Sequence, residues 1–456
     1  FLKHQVNAMK PVLYVSHSKR GLFYYNDASA RYRCIFPAEE RISQGDNAHA
    51  IHFSQIDKLP LDHYQKIIFH RPQYSFKLWR IIRQLKAKKI ECWVDFDDLL
   101  FCPELASASA AVQAEKMSAS LAKKHAKRYL KALRLFSNCQ VSTDELASAL
   151  AKIYPCNIKV VYNKVPERWA KQAKVISAEK RLEKKIIRYL PGTSHHKHDF
   201  AHIEKFLAEL LRDHPDYQLN IIGDLEFETA IFPKEQLSRT PFQPYEQLPS
   251  LINDSWIIIA PLVDNEFNRC KSGLKFWESG VFGIPVISSP LKDIERFNNK
   301  GLCISDNLDD WKDFIQSMEN SQNYRIASKQ AIEQSSTAFF SSGALAHTLD
   351  HALNHRYNYL KMTSEFGPRW PGDIINPTAS QHSRLLSFQQ IILSTSHHNK
   401  GKKECEAVLL SLAAQKIKND IPPTRHTIIR KFKKLISSPG LFIKDSKYFK
   451  VLLSKH

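Results

Sequence analysis

Short apolar runs alternate along the chain with longer stretches whose apolar residues recur every three or four positions. Val12-Leu13-Tyr14-Val15-Ser16, Lys66-Ile67-Ile68-Phe69, Glu91-Cys92-Trp93-Val94, Asn138-Cys139-Gln140-Val141 and Lys159-Val160-Val161-Tyr162 read as strands. Residues 75–88 place Leu78, Ile81, Ile82 and Leu85 on one face of a basic helix. Residues 106–135, rich in Ala, Lys and Leu, read as one helix. Ser142-Thr143-Asp144-Glu145 caps another. Strands that alternate with helices imply a parallel α/β layer.

A polar passage, 166–184, separates this series from a second one. There, 186–190, 219–222, 256–260, 284–288 and 302–304 read as strands, and 200–213, 245–252, 271–281 and 308–319 as helices. Polar loops follow the strands, which is where open α/β sheets bind ligands. Two such sheets in tandem make the cleft between them the natural site. A further helix is expected over 339–360, with Leu345, Leu349 and Leu353 on one face.

Composition changes this picture in three ways. The 66 Lys/Arg against 46 Asp/Glu give a net charge of +20, which points to a polyanionic partner: nucleic acid, an anionic membrane surface or phosphorylated substrates. Residues 366–456 hold 16 Lys/Arg and five Asp/Glu, over half of the excess in a fifth of the chain. No apolar run approaches the roughly 20 residues needed to cross a bilayer. The eight scattered cysteines, with no Cys-x-x-Cys, read as free thiols of a reducing compartment. The chain begins Phe1-Leu2-Lys3-His4 without a methionine or a signal peptide, which reads as a processed or excised piece.

Candidate chemistry concentrates in Phe267-Asn268-Arg269-Cys270-Lys271-Ser272-Gly273-Leu274-Lys275-Phe276-Trp277-Glu278-Ser279-Gly280, followed by Gly283-Ile284-Pro285. A helix start at Ser272-Gly273, with Lys271 and Lys275 beside it, suits a diphosphate. Gly273 would let the anion approach the backbone. Glu278 lies further along the same helix and could accept two ribose hydroxyls. The same pattern also describes an ordinary amphipathic helix with a solvated Lys/Glu face.

This segment resembles the donor-binding stretch of retaining GT-B glycosyltransferases of the group 1, family 4-like kind. The likeness is greatest to a bacterial surface-polysaccharide subset with Asn-x-Cys-Lys-Ser-x-Leu-Lys followed by Glu, a small residue and Gly. Val94-Asp95-Phe96-Asp97-Asp98-Leu99-Leu100, Ile67-Ile68-Phe69-His70-Arg71, Val141-Ser142-Thr143, Tyr162-Asn163-Lys164-Val165 and Tyr189-Leu190-Pro191-Gly192-Thr193 are similar to other stretches of that family. The resemblance implies a GT-B fold. An acceptor domain would span 1–165, a nucleotide-sugar domain 178–337 and a crossing helix 338–365. Residues 366–456 would form a basic, mainly helical extension.

It also implies retaining transfer from a nucleotide-sugar to a capsule or lipopolysaccharide glycan, or a lipid-linked acceptor, without a metal or other cofactor. Glu278 would take the ribose, and Lys271, Ser272, Gly273, Leu274, Lys275, Gly192, Thr193 and Lys197 the donor phosphates. Arg71 and Asn163 would contact the acceptor. The family's first glutamate falls on Cys270, and its usual arginine on Thr193.

Asp95, Asp97 and Asp98 admit a metal site, an acceptor-side base or contact (Asp97, Asp98), or a structural turn. His17 follows the first strand and faces the expected cleft, as an acceptor or phosphate contact or as a plain loop residue. His195-His196-Lys197-His198 reads as a solvated loop.

Basic and apolar residues interleave in Ile428-Ile429-Arg430-Lys431-Phe432-Lys433-Lys434-Leu435-Ile436. With residues 425–456 this fits an anionic membrane surface or a membrane-bound partner, at the cytoplasmic face of a bacterial inner membrane. A solvated basic subdomain is the plainer reading, and no nucleic-acid motif accompanies the charge. Three rival functions are a catalytically inactive scaffold of the same fold, a nucleic-acid-binding protein, and a GT-B sugar-nucleotide epimerase.

Overall fold

The computed structural model describes residues 11–337 and the backbone of 339–340, apart from residues 22, 23, 25, 26, 45, 47, 173–175, 193, 244 and 298–300. The first α/β series forms a six-stranded parallel sheet: β1 (Val12–Ser16), β2 (Ala48–His52), β3 (Lys66–His70), β4 (Glu91–Phe96), β5 (Asn138–Val141) and β6 (Asn157–Val160), in the order β2-β1-β3-β4-β5-β6. A two-residue strand, β7 (Val165–Pro166), follows. The second sheet, also six-stranded and parallel, contains β8 (Ile186–Tyr189), β9 (Gln218–Ile222), β10 (Leu237–Thr240), β11 (Ile257–Ala260), β12 (Val286–Ser288) and β13 (Leu302–Ile304), in the order β10-β9-β8-β11-β12-β13. The chain then returns, and β14 (Phe339–Phe340) pairs in parallel with β7.

Both sheets are covered on both faces, as parallel sheets require. In the first, Leu13, Val15, Ile67, Phe69 and Val94 face helices Phe76–Ala87, Ala119–Leu133 and Asp144–Ile153. The alternate residues Val12, Tyr14, Ile68 and Trp93 face the other way. That second face is closed by helix Phe36–Ser43 and the π-helical turn before it, Arg31–Ile35, every residue of which is buried.

Several elements differ from their sequence reading. The stretch 106–135 is not one helix. It divides into 3-10 turn Ala106–Ala108, helix Ala110–Gln113 and helix Ala119–Leu133. Ser118 caps the last of these by accepting from the Leu121 N–H, and Glu115 has φ 55°, which breaks the helix before it. The strand expected over 159–162 is formed two residues earlier. The polar passage 166–184 contains helices Glu167–Gln172 and Ala178–Lys184. In it, Arg181 is buried and donates to the Asn253 and Phe282 carbonyls. Residues 339–340, expected to open a helix, are strand. The rest of that expected helix, the crossing segment and the 366–456 extension lie outside the described residues.

Candidate active site

The two candidate stretches meet. Arg71 directly follows β3 with φ 48°, a conformation that bulky L-residues rarely hold, and its N–H donates to the Asp95 carbonyl at 2.8 Å. This turn aims the guanidinium at the next strand end. Its Nε donates to Asp97 Oδ1 and its Nη2 to Asp98 Oδ2 at 2.9 Å. The other Asp98 oxygen is 3.8 Å from Lys271 Nζ, on the donor-like loop. Asn163 donates to Ser272 Oγ at 2.9 Å and accepts from Arg33 at 3.1 Å. Thr143 Oγ1 donates to the Cys270 carbonyl at 2.9 Å. Arg71, Asp97, Asp98, Asn163, Lys271 and Ser272 therefore belong to one constellation, formed where strand ends of the first sheet touch the loop after β11.

Glu278 lies on helix Leu274–Gly280, which is shorter than the expected 271–281. The carboxylate is 3% exposed. Tyr32 Oη donates to its Oε1 at 2.6 Å, and Lys275 Nζ to its Oε2 at 2.9 Å. Tyr245 Oη stands 3.0 Å from Tyr32 Oη. Burial first, then the nearby Glu278 charge, push the Tyr32 phenol well above its usual pKa, so it remains a donor.

No family model matches the chain, and no curated protein sequence matches it. Solved structures do. A glycosyltransferase from Rickettsia africae ESF-5 superposes with TM-score 0.50 at 14% identity, over 79% of this chain and all of that one. The sucrose-phosphate synthase of Thermosynechococcus elongatus gives 0.50 at 12% identity, over 77% and 100% of the two chains. An alpha-glucosyltransferase solved with UDP-glucose and abasic-site DNA gives 0.50 at 12%, over 75% and 98%.

The fold is GT-B.

Cys270, at the position of the resembled family's first glutamate, is 4% exposed and packs with Phe267 into the core of the first sheet. Burial pushes its thiol up to about 12, so it is a neutral packing group. Gly273 has a packing role. Its N–H donates to Asp293 Oδ2 at 2.6 Å, and a Cβ there would clash with Ile294 Cγ1. The glycine is needed because helix Lys292–Glu295 lies against it, and a phosphate could use that N–H only if Asp293 withdrew. Leu274 is half-buried, Lys197 is exposed at the start of helix Lys197–Ala201, and Gly192 is exposed with φ 76° and open space beside it. Thr193 lies outside the described residues.

Asp97 is a poor proton acceptor. Burial works to raise its pKa, but the Arg71 guanidinium and His70 hold it well below the usual carboxylate range. In this arrangement Asp97 is a fixed negative charge paired with Arg71. Asp98, bonded to Arg71 and facing Lys271, keeps the base or contact reading open. His17 stacks on Phe53 at 4.1 Å, with its Nε2 out of solvent and unpartnered among the described residues. Burial, reinforced by His52, His70 and Lys77, drives its pKa well below the usual value, so it is neutral. His196 Nδ1 donates to Asp199 Oδ2 at 2.7 Å, which ties down that histidine run. Among the described residues, no three His, Cys, Asp or Glu side chains are grouped to hold a metal ion, and no helix is long and apolar enough to cross a membrane.

Sequence reasoning missed Tyr32, Arg33, His70 and Tyr245. Arg33 is buried, donates to both Asp95 oxygens, and links them to Asn163 Oδ1. The π-helical turn that aims Tyr32 and Arg33 has no sequence signature. His70 had one: it stands beside Arg71 at a strand end, within the stretch already singled out.

Proposed function

We propose that the protein is a glycosyltransferase that moves a sugar from a nucleotide-sugar donor to a bacterial capsule or lipopolysaccharide glycan, with retention at the anomeric carbon. The observation that carries this reading is the meeting of Arg71, Asp97 and Asp98 with Lys271 and Ser272 between the two halves of a GT-B fold. One similar structure holds UDP-glucose, which names the ligand class to try first.

In this reading Glu278 accepts the ribose hydroxyls that Tyr32 now replaces. Lys271, Lys275, Lys197 and the open turn at Gly192 face the diphosphate, and Leu274 with Ser272 shapes its bed. The cations stabilise the leaving diphosphate as its charge grows, and cleft closure excludes water. Arg71 and Asn163 hold the acceptor side, and Asp98 receives the acceptor proton. The activity needs no metal or other cofactor, as the resemblance implies. The 425–456 tail would bring the enzyme to the inner face of the bacterial membrane or to a membrane-bound partner.

A second reading has one observation in its favour. Cys270 and Gly273 are both committed to packing, and both Glu278 oxygens already accept from protein donors, as a non-catalytic scaffold would tolerate. A thermal-shift series with UDP-, GDP- and CDP-sugars separates the two, using wild type, Glu278→Gln and Lys271→Ala. Selective stabilisation by one nucleotide, weakened in both variants and accompanied by slow release of that nucleotide from its sugar, is the expected result. Stabilisation without turnover on any acceptor would favour the scaffold. No response to any nucleotide would remove both.

A further inference from the structure

The two helices that cross from β3 to β4 and from β4 to β5 lie on the same face of the first sheet, because both run in the same direction along it with the same handedness. Their inward residues, Leu78, Ile81, Ile82, Leu85, Ala132 and Leu133, share one core. Their ends are joined: the Tyr74 N–H donates to the Arg128 carbonyl at 3.0 Å, and Lys131 Nζ sits 3.9 Å from the centre of the Tyr74 ring.

Every Lys, Arg, Asp or Glu on these two helices is a cation. Residues 76–89 carry Lys77, Arg80, Arg83, Lys86, Lys88 and Lys89, and no acid. Residues 119–134 carry Lys123, Lys124, Lys127, Arg128, Lys131 and Arg134, again with no acid. Only Lys77, Arg80 and Lys88 have a carboxylate within ion-pair distance among the described residues. The others are exposed and have no carboxylate partner among the described residues. Helices of this length usually mix both signs, since unrelieved like charge along a face is destabilising. Here twelve cations in thirty residues tolerate that cost.

An aromatic pair completes the face. Phe76 is 69% exposed, the most exposed large apolar residue among those described. It stacks on Trp79 with ring centres 5.3 Å apart, and Arg83 lies 4.8 Å above the Trp79 ring. A solvated salt-bridging helix has no use for a Phe-Trp pair in water. An interfacial helix does, because such rings enter the headgroup region while Lys and Arg extend to the phosphates.

We infer that this two-helix face of the first α/β half docks on an anionic lipid surface, independently of the basic tail and of the reaction assigned to the cleft. Charge complementarity names the occupant, and the paired aromatics favour lipid over nucleic acid.

The test is sedimentation of the full chain with vesicles of phosphatidylcholine, alone or with about 30% phosphatidylglycerol, at about 0.15 M salt. Wild type should partition to the anionic vesicles and not to the neutral ones. Arg83→Glu/Lys86→Glu/Lys127→Glu/Lys131→Glu should lower partitioning by at least about tenfold, since each cation near the surface counts several-fold. Phe76→Ser should lower it by a smaller factor and leave the salt dependence unchanged. The gentler set with Gln at the same four positions, checked by thermal unfolding, guards against a misfolded variant. Unchanged partitioning of a folded fourfold variant would overturn the proposal, since the tail would then account for all binding. So would stronger binding of the wild type to a DNA or RNA oligonucleotide that the fourfold variant loses, which would make the face a nucleic-acid surface.

Discussion

The two sheets have the same strand count and the same kind of order, yet their carboxyl ends are built from opposite materials. Across the first sheet one transverse row reads His52, Ser16, His70, Asp95, Gln140. The corresponding row across the second reads Arg239, Ile221, Tyr189, Ile259, Ile287, Cys303, polar only at the edge. The first half puts its chemistry on strand ends, where rigid backbone holds each group. The second keeps the centre of that row apolar and carries its candidate groups on the 264–278 loop and helix. A group on a strand end can be buried and paired, as Asp95 is by Arg33. A loop can instead leave its cations, Lys271 and Lys275, within reach of a ligand.

Two buried arginines test that contrast most sharply. Arg33→Met should destabilise the protein by about 3–5 kcal/mol in denaturant unfolding, because Asp95 would be left buried and uncompensated. Arg188 lies in the second half, where burial lowers its pKa to about 10 and its partners are the neutral Asn220 and Ser255. Arg188→Met should change stability by less than about 1 kcal/mol. Equal losses in the two variants would erase the distinction.

Gly273→Ala comes next. The added methyl meets the Ile294 side chain, so a loss of about 1–3 kcal/mol is expected, and combining it with Ile294→Ala should not give the sum of the two single changes. Tyr32→Phe has a smaller effect with a telling sign. Removing the phenol frees a Glu278 oxygen, so a nucleotide should bind about threefold to tenfold more tightly by calorimetry. Weaker binding would mean that Tyr32 belongs to the ligand site itself.

The mildest test uses pH. The folded-state pKa of His17 is depressed, so the unfolded chain binds its proton more readily. Its contribution is fully present above the unfolded value of 6.5 and is lost as pH falls below it. Thermal unfolding of His17→Asn between pH 7.5 and pH 5.5 should therefore show a flatter decline than wild type, within about one or two degrees.

Much of this was legible from periodicity. Strands such as Val12–Ser16 and Ile257–Ala260 are buried on both faces, and their apolar runs stand out. The edge strands β2 and β10 were missed, because Ala48–His52 and Leu237–Thr240 are short and half polar. Helix Ser321–Ser336 was missed because it buries small residues, Ala327, Ala331 and Ser335, around Tyr324 and shows little apolar contrast. In the candidate site, Lys271, Ser272, Arg71 and Asp98 could be singled out one by one from loops after strands. That Asp98 faces Lys271, or that Tyr32 reaches Glu278 from 246 residues away, depends on packing between segments remote in sequence.

The helix Glu266–Arg269 and Cys270 after it have a bearing on how the molecule could be taken apart. By sequence this segment belongs to the second half, but Phe267 and Cys270 are sunk in the core of the first, and Thr143 bonds the Cys270 carbonyl. A fragment cut at the 166–184 passage would carry away a plug that the other fragment is shaped to hold. Expressed separately, one piece would show an apolar socket and the other an apolar peg, whereas the two mixed together should recombine.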